Sequence, residues 1–253
     1  PGIDVVAQPE LKLAGLRIHP RVHAPSAFSL GADLWLMDIA SGNERRISGL
    51  PRPLGMASVA WSPDQRWLAF NRLDRASGAN ELWVVDVAAA TARRIAADLN
   101  TVAGGGYSWM PDSRGLVLRL RAAQARPLPA ADAVPSGPSV QHSEAGAGVR
   151  SVRTYQDLLR NESDAQTLEH YLLSQLALVD LQGRVTRVGA PALYLSTVPS
   201  PDGRYVLAQA AERPFSYLVP VSRFPRVIQV LDARTGATVH TVARLPLVEG
   251  LPT

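Results

Sequence analysis

Residues that could do chemistry are sparse in this sequence, and the most suggestive of them is a serine. Ser108 lies within residues 106–110, Gly-Tyr-Ser-Trp-Met, which approach the Gly-x-Ser-x-Gly turn that presents the nucleophile in many serine hydrolases. Met110 stands where that turn has its final glycine. The stretch is also explained as a strand that enters a turn at residues 109–112. We therefore expect Ser108 not to be a nucleophile, and we predict no catalytic residue in this chain.

The other reactive residues predict neither a metal site nor a phosphate loop. The chain has no cysteine. The five histidines are scattered along the sequence, at His19, His23, His142, His170 and His240. His170 follows Glu169, but no second histidine completes a zinc motif. Residues 104–106 are three glycines that lack the following lysine and serine or threonine of a phosphate-binding loop. We expect no cofactor and no metal ion.

The charge pattern argues against a nucleic-acid partner. The 253 residues include 26 basic and 22 acidic side chains, which gives a formal net charge of +4, and Lys12 is the one lysine. Nucleic-acid surfaces more often cluster basic residues among stacking aromatic rings, whereas these arginines are scattered singly or in pairs. They are better explained as solvated strand edges. No apolar run approaches the roughly 18 residues that span a bilayer, so we predict no membrane partner.

The elements that would position these residues are indicated by an internal repeat. Residues 34–38, Leu-Trp-Leu-Met-Asp, recur 48 positions later at residues 82–86 as Leu-Trp-Val-Val-Asp, and two weaker copies follow. Each copy is a short apolar strand closed by an aspartate, then a polar turn and a second strand. The closing aspartates are Asp38, Asp86, Asp180 and Asp232. Because they repeat with the strands, we interpret them as acceptors in turns and not as an acid–base pair.

A second repeated unit alternates with the first. It is a Pro-Asp turn followed by an apolar strand, and it occurs at residues 61–64, 109–112 and 199–202. Two hairpins in every period of about 45–50 residues make a four-stranded blade, which is typical of a propeller. We predict an all-β fold for residues 1–253, a partial β-propeller with about four blades of four-stranded antiparallel sheets.

The spacing of these turns breaks once, and the extra length predicts an insertion. The first two turns are 48 residues apart, but the third follows the second by 90. We assign the excess to residues 122–172, as a loop and then a helix inserted within one blade. Residues 125–148 are rich in Pro, Ala, Gly and Ser and predict the loop, while residues 154–172 have apolar positions near helical spacing. The insertion carries a function or only covers a blade edge, and the sequence leaves both open.

Four longer stretches resemble a known family. They are residues 9–18 (PELKLAGLRI), residues 134–138 (VPSGP), residues 152–159 (VRTYQDLL), and residues 213–225, which contain RPFSY, VP and RFP. In this order and at this spacing, the chain resembles the propeller of glutamyl endopeptidases in the prolyl oligopeptidase family of serine peptidases, nearly end to end from Pro9. Turns such as residues 61–64 occur in many propellers, so the specificity of the resemblance rests on the longer stretches.

The resemblance implies a two-domain serine peptidase that favours cleavage after glutamate. In that family a propeller caps an α/β-hydrolase domain and restricts access to its Ser-Asp-His triad. We expect this chain to be a propeller fragment that starts after the leader region and lacks the remaining blades and the hydrolase domain. Residues 19–26 depart from the family pattern, which usually has Asn-Gly and then Ser-Arg, so no family role is carried over to the loop near His23. The resemblance points to a periplasmic or secreted protein of the bacterial type.

Two functions from different classes fit these observations. The first is a non-catalytic, substrate-gating part of a serine peptidase, whose partners are a peptide substrate and the α/β-hydrolase domain of the same polypeptide. The second is a stand-alone propeller that acts as a scaffold for protein partners.

For the first function, the resemblance suggests Arg213 and Arg223 as substrate-binding residues, because both lie in the most specific family-like stretch. A peptidase that cleaves after glutamate must pair a partly desolvated carboxylate, and arginine does so through two parallel hydrogen bonds. The alternative is that each arginine ties strands together through a neighbouring acid such as Glu212 or Asp202.

Overall fold

The computed structural model describes residues 8–26, 30–123, 128 and 155–249. In chain order the strands are β1 (Leu11–Leu13), β2 (Leu16–His19), β3 (Ala24–Pro25), β4 (Trp35–Met37), β5 (Glu44–Arg46), β6 (Met56–Trp61), β7 (Trp67–Asp74), β8 (Ala79–Asp86), β9 (Thr91–Ala96), β10 (Tyr107–Trp109), β11 (Gly115–Arg121), β12 (Ser174–Asp180), β13 (Val185–Arg187), β14 (Leu193–Pro199), β15 (Tyr205–Ala211), β16 (Arg226–Asp232) and β17 (Thr238–Leu245). Helix α1 (Glu162–Leu172) lies between β11 and β12, and a short 3-10 helix (Val221–Arg223) lies between β15 and β16.

Consecutive strands form antiparallel sheets, as in a propeller. Blade 2 is β6-β7-β8-β9, blade 3 is β10-β11-β12-β13, and blade 4 is β14-β15-β16-β17. Strands β4 and β5 pair as a two-stranded sheet, and the sequence repeat matches them to β8 and β9, so they are the outer half of blade 1. Strands β1, β2 and β3 form a separate three-stranded sheet. The prediction of an all-β, partial propeller with about four blades is confirmed.

The first strands of neighbouring blades contact one another. The Tyr107 hydroxyl on β10 donates to the carbonyl of Ser58 on β6 at 3.2 Å. The Ser108 hydroxyl, also on β10, donates to the carbonyl of Thr197 on β14 at 3.2 Å. Strands β6, β10 and β14 therefore lie nearest the propeller axis, and the fourth strand of each blade lies at the periphery.

Apolar side chains of adjacent blades pack face to face. The buried cluster between blades 2 and 3 contains Ala69, Leu82, Val84, Ile95, Leu99, Leu116, Leu118, Ala177 and Val179. The cluster between blades 3 and 4 contains Leu176, Val188, Tyr194, Ala208, Ala210, Val227 and Leu231. Full burial of a valine or leucine side chain contributes about 1.5–3 kcal/mol, so these interfaces hold the blades in their radial order.

One end of the blades is closed by short repeated turns at residues 62–66, 110–114 and 200–204, which we call the turn end. The Ser62 hydroxyl donates to the Asp64 carboxylate at 2.6 Å and accepts the backbone N–H of Trp67 at 3.0 Å. The turn at residues 200–204 repeats both bonds at 2.5 and 3.0 Å. Neighbouring turns touch, since the N–H of Asp64 donates to the hydroxyl of Ser113 at 3.1 Å.

The aspartates that close the third strands accept hydrogen bonds in turns, which confirms their predicted role. Asp38 accepts the hydroxyl and the N–H of Ser41 at 2.7 and 2.8 Å, and Asp232 accepts the N–H of Thr235 at 2.9 Å. These bonds favour the charged carboxylate and lower the pKa of Asp38 and of Asp232. The same role is filled by Asp86 toward Ala89, and by Asp180 toward Gln182 and Arg184.

The opposite end is irregular, and we call it the helix end. Antiparallel pairing places there the connections between second and third strands at residues 75–78 and 212–225, and the described residues 155–173 that precede β12. Helix α1 begins after Asn161, whose side chain accepts the N–H of Asp164 at 2.8 Å and caps the helix. No helix within the described residues is long and apolar enough to cross a membrane.

The helix predicted for residues 154–172 was too long at its start. Residues 155–160 are not helical, because Asp157 has a φ of +59° and Asn161 is extended at φ −158° and ψ 177°. Apolar spacing alone could not show this, since the residues before the cap also pack into the core. The predicted loop at residues 125–148 lies outside the described residues, except for residue 128.

Candidate functional site at the helix end

Three of the four family-like stretches meet in one apolar cluster at the helix end, here called the junction. Residues 9–18 supply β1 and β2, residues 155–159 precede α1, and residues 213–225 follow β15. The buried side chains of the junction are Leu13, Ala14, Ile18, Val102, Leu159, Ala165, Leu168, Tyr171, Leu172, Val219, Val221 and Phe224. The fourth stretch, residues 134–138, lies outside the described residues. The most specific sequence of the chain thus forms one packing unit beside the repeating blades.

Backbone hydrogen bonds tie the junction together across long sequence separations. The N–H of Gly15 donates to the carbonyl of Asp157 at 2.9 Å, and the N–H of Val221 donates to the carbonyl of Ala14 at 2.9 Å. Gly15 has a φ of +79°, and a Cβ at this position would lie 2.8 Å from the Cβ of Pro220. Glycine is therefore required, both for the left-handed backbone and for the close approach.

Arg213 lies at the rim of the junction and binds two glutamates of α1. Its Nε and Nη2 donate to the two carboxylate oxygens of Glu169 at 2.7 and 2.9 Å, and Nη2 also donates to Glu162 at 3.0 Å. These hydrogen bonds raise the pKa of Arg213 and, from the other side, lower the pKa of Glu162. The structural role considered from the sequence thus has partners, although they come from α1 and are neither Glu212 nor Asp202.

Arg223 lies at the same junction, on the 3-10 helix. Its guanidinium carbon is 5.7 Å from the centre of the Tyr155 ring, a cation–π distance. Its carbonyl accepts the N–H of Val248 at 3.2 Å. Phe215 and Phe224, each adjacent to family-like residues, stack with their ring centres 5.1 Å apart. The structure therefore brings both predicted arginines to one aromatic-rich region.

Ser108 lies on the axis and not at the junction. Its hydroxyl donates to the carbonyl of Thr197, a strand-to-strand contact that matches its interpretation as a strand residue. Among the residues that the structure describes, no group of three His, Cys, Asp or Glu side chains could hold a metal ion.

His23 belongs to a histidine and tyrosine cluster between the N-terminal segment and α1. It has a φ of +47°, and its carbonyl accepts the N–H of Thr101 at 2.9 Å. The centre of its ring lies 4.8 Å from that of Tyr171 and 5.9 Å from that of His170. Burial, together with the charge of Arg121 and with His170, lowers the pKa of His23 to about 3. The imidazole is therefore neutral at neutral pH and serves as a packing group.

Arg119 is a buried cation that the sequence analysis missed. It lies on β11 with 4% of its surface exposed. Its Nη1 donates to the carbonyls of Tyr194 and Leu195 at 2.9 and 3.1 Å, and its Nη2 donates to the carbonyl of Gly104. A cavity of about 280 Å³ adjoins it near the axis. The signal that could have found it is an arginine placed between two leucines in an otherwise apolar strand.

Comparison with known proteins finds similarity along the whole chain. It is 35% identical over 263 aligned residues to a probable chloroplastic glutamyl endopeptidase of Oryza sativa subsp. japonica, and 36% identical over 262 to the protein of the same name in Arabidopsis thaliana. Both alignments cover 100% of this chain but only 28% and 27% of the relatives. The chain thus spans little more than a quarter of their length.

Solved structures give more distant likenesses. An acylaminoacyl peptidase from Pyrococcus horikoshii has a TM-score of 0.44 at 12% identity, covering 82% of this chain and 28% of that one. TolB from Acinetobacter baumannii has a TM-score of 0.40 at 13% identity, covering 83% and 37%. No protein-family model matches the sequence. The similarity along the whole chain to these two plant proteins confirms the resemblance to glutamyl endopeptidases that the sequence predicts.

Proposed function

We propose that this chain is the non-catalytic, substrate-gating part of a serine peptidase that cleaves peptides after glutamate. The observation that carries the proposal is the similarity over the full chain to two proteins named as probable glutamyl endopeptidases. Because the chain spans little more than a quarter of those proteins, its own contribution would be to the admission and placement of substrate. The bond-breaking residues would belong to an α/β-hydrolase domain of the same polypeptide.

Two features of the fold support a gating role, the packing between blades and the junction. The blades are joined by broad apolar interfaces, so the strands around the axis form a fixed frame that excludes bulky, folded chains. The junction at the helix end fixes the irregular connections onto that frame. A peptide that approaches the axis from this end would pass the residues of the junction and then those of β10 and β14.

Arg213 and Arg223 are the residues proposed to contact the substrate glutamate. Arg213 would have to exchange its bonds to Glu169 and Glu162 for bonds to the substrate, so its binding includes the loss of an existing ion pair. The guanidinium carbon of Arg223 lies 5.7 Å from the centre of the Tyr155 ring, and the planar fork of arginine matches the geometry of a carboxylate.

The full-length enzyme tests these two residues. We expect Arg223→Ala and Arg213→Ala each to lower kcat/KM for a glutamyl anilide. Loss of a charge-assisted hydrogen bond costs about 1.5–3 kcal/mol, or about 10- to 150-fold. The matched glutaminyl anilide, which lacks the charge, should lose far less. If both substrates suffer equally, or if only the melting temperature falls, the arginines are structural.

A second experiment tests the division of labour. The purified chain alone should not hydrolyse glutamyl anilides, and turnover that a serine-directed inhibitor abolishes would overturn the proposal. Reading the gene beyond the codon for Thr253 supplies the matching test. A Gly-x-Ser-x-Gly stretch followed by an aspartate and a histidine would support the peptidase, whereas a stop codon would favour a stand-alone scaffold.

A further inference from the structure

Arg119 carries a positive charge into the buried interior of the protein. It donates hydrogen bonds to three main-chain carbonyls, those of Tyr194, Leu195 and Gly104. Within the described part of the chain it forms no ion pair. Carbonyl dipoles compensate only partly for the water that a buried guanidinium has lost. Burial accordingly lowers the pKa of Arg119 to about 10, which still leaves it charged at neutral pH.

The guanidinium also keeps unused donor capacity. It has five N–H groups, and the three hydrogen bonds above come from Nη1 and Nη2 alone. The Nε–H is buried and has no acceptor among the residues that the structure describes. An unpaired buried donor is costly, and Nε–H beside Nη2–H is the edge through which arginine binds a carboxylate with two bonds, as Arg213 does with Glu169.

The surroundings of Arg119 are built from backbone that departs from regular strand geometry. Gly104, Gly105 and Gly106 all have positive φ, at +77°, +59° and +102°. On the other side, the pairing of β14 with β15 shifts register between Tyr194 and Ser196. This bulge turns two successive carbonyls toward the guanidinium. Bulges of this kind are frequent beside binding sites.

A cavity of about 280 Å³ lies between these two backbone segments. Its lining includes Arg119, Gly105, Ser108, Ser196 and Thr197. A Cβ on Gly105 would lie 3.6 Å from Nη2 of Arg119, so glycine at this position leaves that face of the guanidinium without a covering side chain. The cavity lies beside β10 and β14, where a chain at the axis would reach it.

We propose that Arg119 and the glycine turn at residues 104–106 form a binding site for the side-chain carboxylate of an acidic peptide residue at the propeller axis. The inference rests on the proposed peptidase function and deepens it, because it names the part of the chain that would hold an acidic peptide before cleavage. A carboxylate would supply the negative counter-charge and the acceptor for Nε–H that Arg119 lacks among the described residues. The alternative is that Arg119 only fastens the bulge of β14 to β11.

Binding to the full 253-residue chain, measured by calorimetry, tests the site without the catalytic domain. The probe is N-acetyl-glutamate α-methylamide, whose one charge is the side-chain carboxylate, and its partner is the glutamine analogue. We expect the glutamate probe to bind about tenfold or more tightly than the glutamine probe, the difference made by one charge-assisted pair. Inorganic phosphate is the third arm, and tighter binding of phosphate than of glutamate would overturn the assignment to a carboxylate.

Two variants distinguish carboxylate binding by Arg119 from a purely structural role in holding β14 against β11. Arg119→Lys keeps the charge but loses the two-bond edge, and it should remove most of the preference for glutamate. Gly105→Ala adds one methyl group beside the guanidinium and should weaken the glutamate probe about tenfold. Its matched control is Gly42→Ala, which has a similar φ of +70° but nothing within 4 Å of the added Cβ, and which should bind like the wild type.

The outcomes distinguish this site from the proposed function. Equal binding of the glutamate and glutamine probes, or equal behaviour of Gly105→Ala and Gly42→Ala, would overturn the Arg119 site. Should Arg119→Lys fail to fold, the Gly105→Ala result decides. A full-length wild-type enzyme that does not prefer glutamyl over glutaminyl anilides, while the 253-residue chain still binds the glutamate probe, would contradict the peptidase proposal and leave the Arg119 site intact.

Discussion

The turn end and the helix end are built on different principles. At the turn end, the hydrogen bonds within each turn join residues two to five positions apart, as between Ser62, Asp64 and Trp67, and the pattern recurs from blade to blade. At the helix end, the contacts join Gly15, Asp157 and Pro220, which come from three separate parts of the sequence. The repeated turns therefore belong to the blades, while the described family-like stretches lie outside the repeat, in the junction.

The largest expected effect on stability is the difference between substituting a glycine at the helix end and substituting one at the turn end. Gly15→Ala places a Cβ 2.8 Å from Pro220 at a φ of +79°, whereas Gly203→Ala, at a φ of +71°, meets its nearest atom at 3.4 Å. Both substitutions pay the left-handed backbone cost of about 1–2 kcal/mol, and Gly15→Ala adds overpacking. We expect Gly15→Ala to lower the free energy of unfolding by about 2–4 kcal/mol and Gly203→Ala by about 1–2 kcal/mol. Urea unfolding of both variants measures this, and equal losses would remove the distinction between the ends.

Acid should weaken the helix end before the turn end. Because the folded pKa of His23 is about 3 and lies below the ordinary value of 6.5, the unfolded chain takes up a proton first as the pH falls. This contribution to stability is complete above about pH 6.5 and is lost progressively toward pH 3. Relative to His23→Asn, which tolerates the positive φ, the wild type should lose about 1–3 kcal/mol between pH 7 and pH 4.5.

At the turn end, Asp64 should make the free energy of unfolding depend on pH in a lower range. Hydrogen bonds from Ser62 and from the backbone N–H of Arg66 lower the pKa of Asp64, so its contribution is present above the ordinary carboxyl value and is lost only as the pH falls through the lowered value. We would measure denaturant unfolding of the wild type, His23→Asn and Asp64→Asn at pH values from about 2.5 to about 7.5. This range covers the loss of both contributions to stability and so distinguishes His23 from Asp64. A His23→Asn profile that parallels the wild type would contradict the assignment.

A smaller loss is expected from the serine of the repeated turn. Ser62→Ala removes one hydrogen bond to Asp64 and one from Trp67, and it should lower the free energy of unfolding by about 1–2 kcal/mol. Ser200→Ala removes the same pair of bonds from the equivalent turn of blade 4 and is the internal control. If the bonds act locally, the double variant should show the sum of the two losses. A clear departure from additivity would mean that the turns are coupled through the axis.

The smallest expected effect on stability is that of Arg213→Ala. Its side chain is 43% exposed, and Glu162 and Glu169 are 54% and 28% exposed, so solvent screens the pairs and the loss should be about 0.5–1 kcal/mol. The loss should shrink further in 1 M salt, where the screening length is about 3 Å. Arg213→Lys, which keeps the charge but not the two-bond geometry, is the control. A loss above that of Ser62→Ala would make Arg213 a principal support of the junction.

The parts of the fold that could be predicted from the sequence are those made by local chemistry. Asp38 and Asp232 accept hydrogen bonds within three residues of themselves, and proline and glycine set the turns around them, so a repeat of such residues determines strand order and pairing. The convergence of Arg213 and Arg223 on one region was also open to prediction, since both lie in one short stretch.

The remaining parts depend on contacts between distant segments. The start of α1 was missed because Asp157 adopts a left-handed conformation in contact with Gly15, and apolar spacing carries no record of that contact. Arg119 was missed because its acceptors are the carbonyls of Tyr194 and Leu195, which every residue type possesses. A site made largely of backbone leaves little trace in side-chain patterns.

The junction joins residues that are far apart in the sequence, which determines when it can form during folding. The hairpins at the turn end join neighbouring strands through short turns, so their loop-closure entropy is small and they can form early. Arg17 and Asp157, which pair at 2.9 Å, are 140 residues apart, and their contact can form only after the intervening blades have shortened that distance. The junction should therefore be absent from the rate-limiting transition state, and substitutions at Gly15 should accelerate unfolding while leaving the folding rate nearly unchanged.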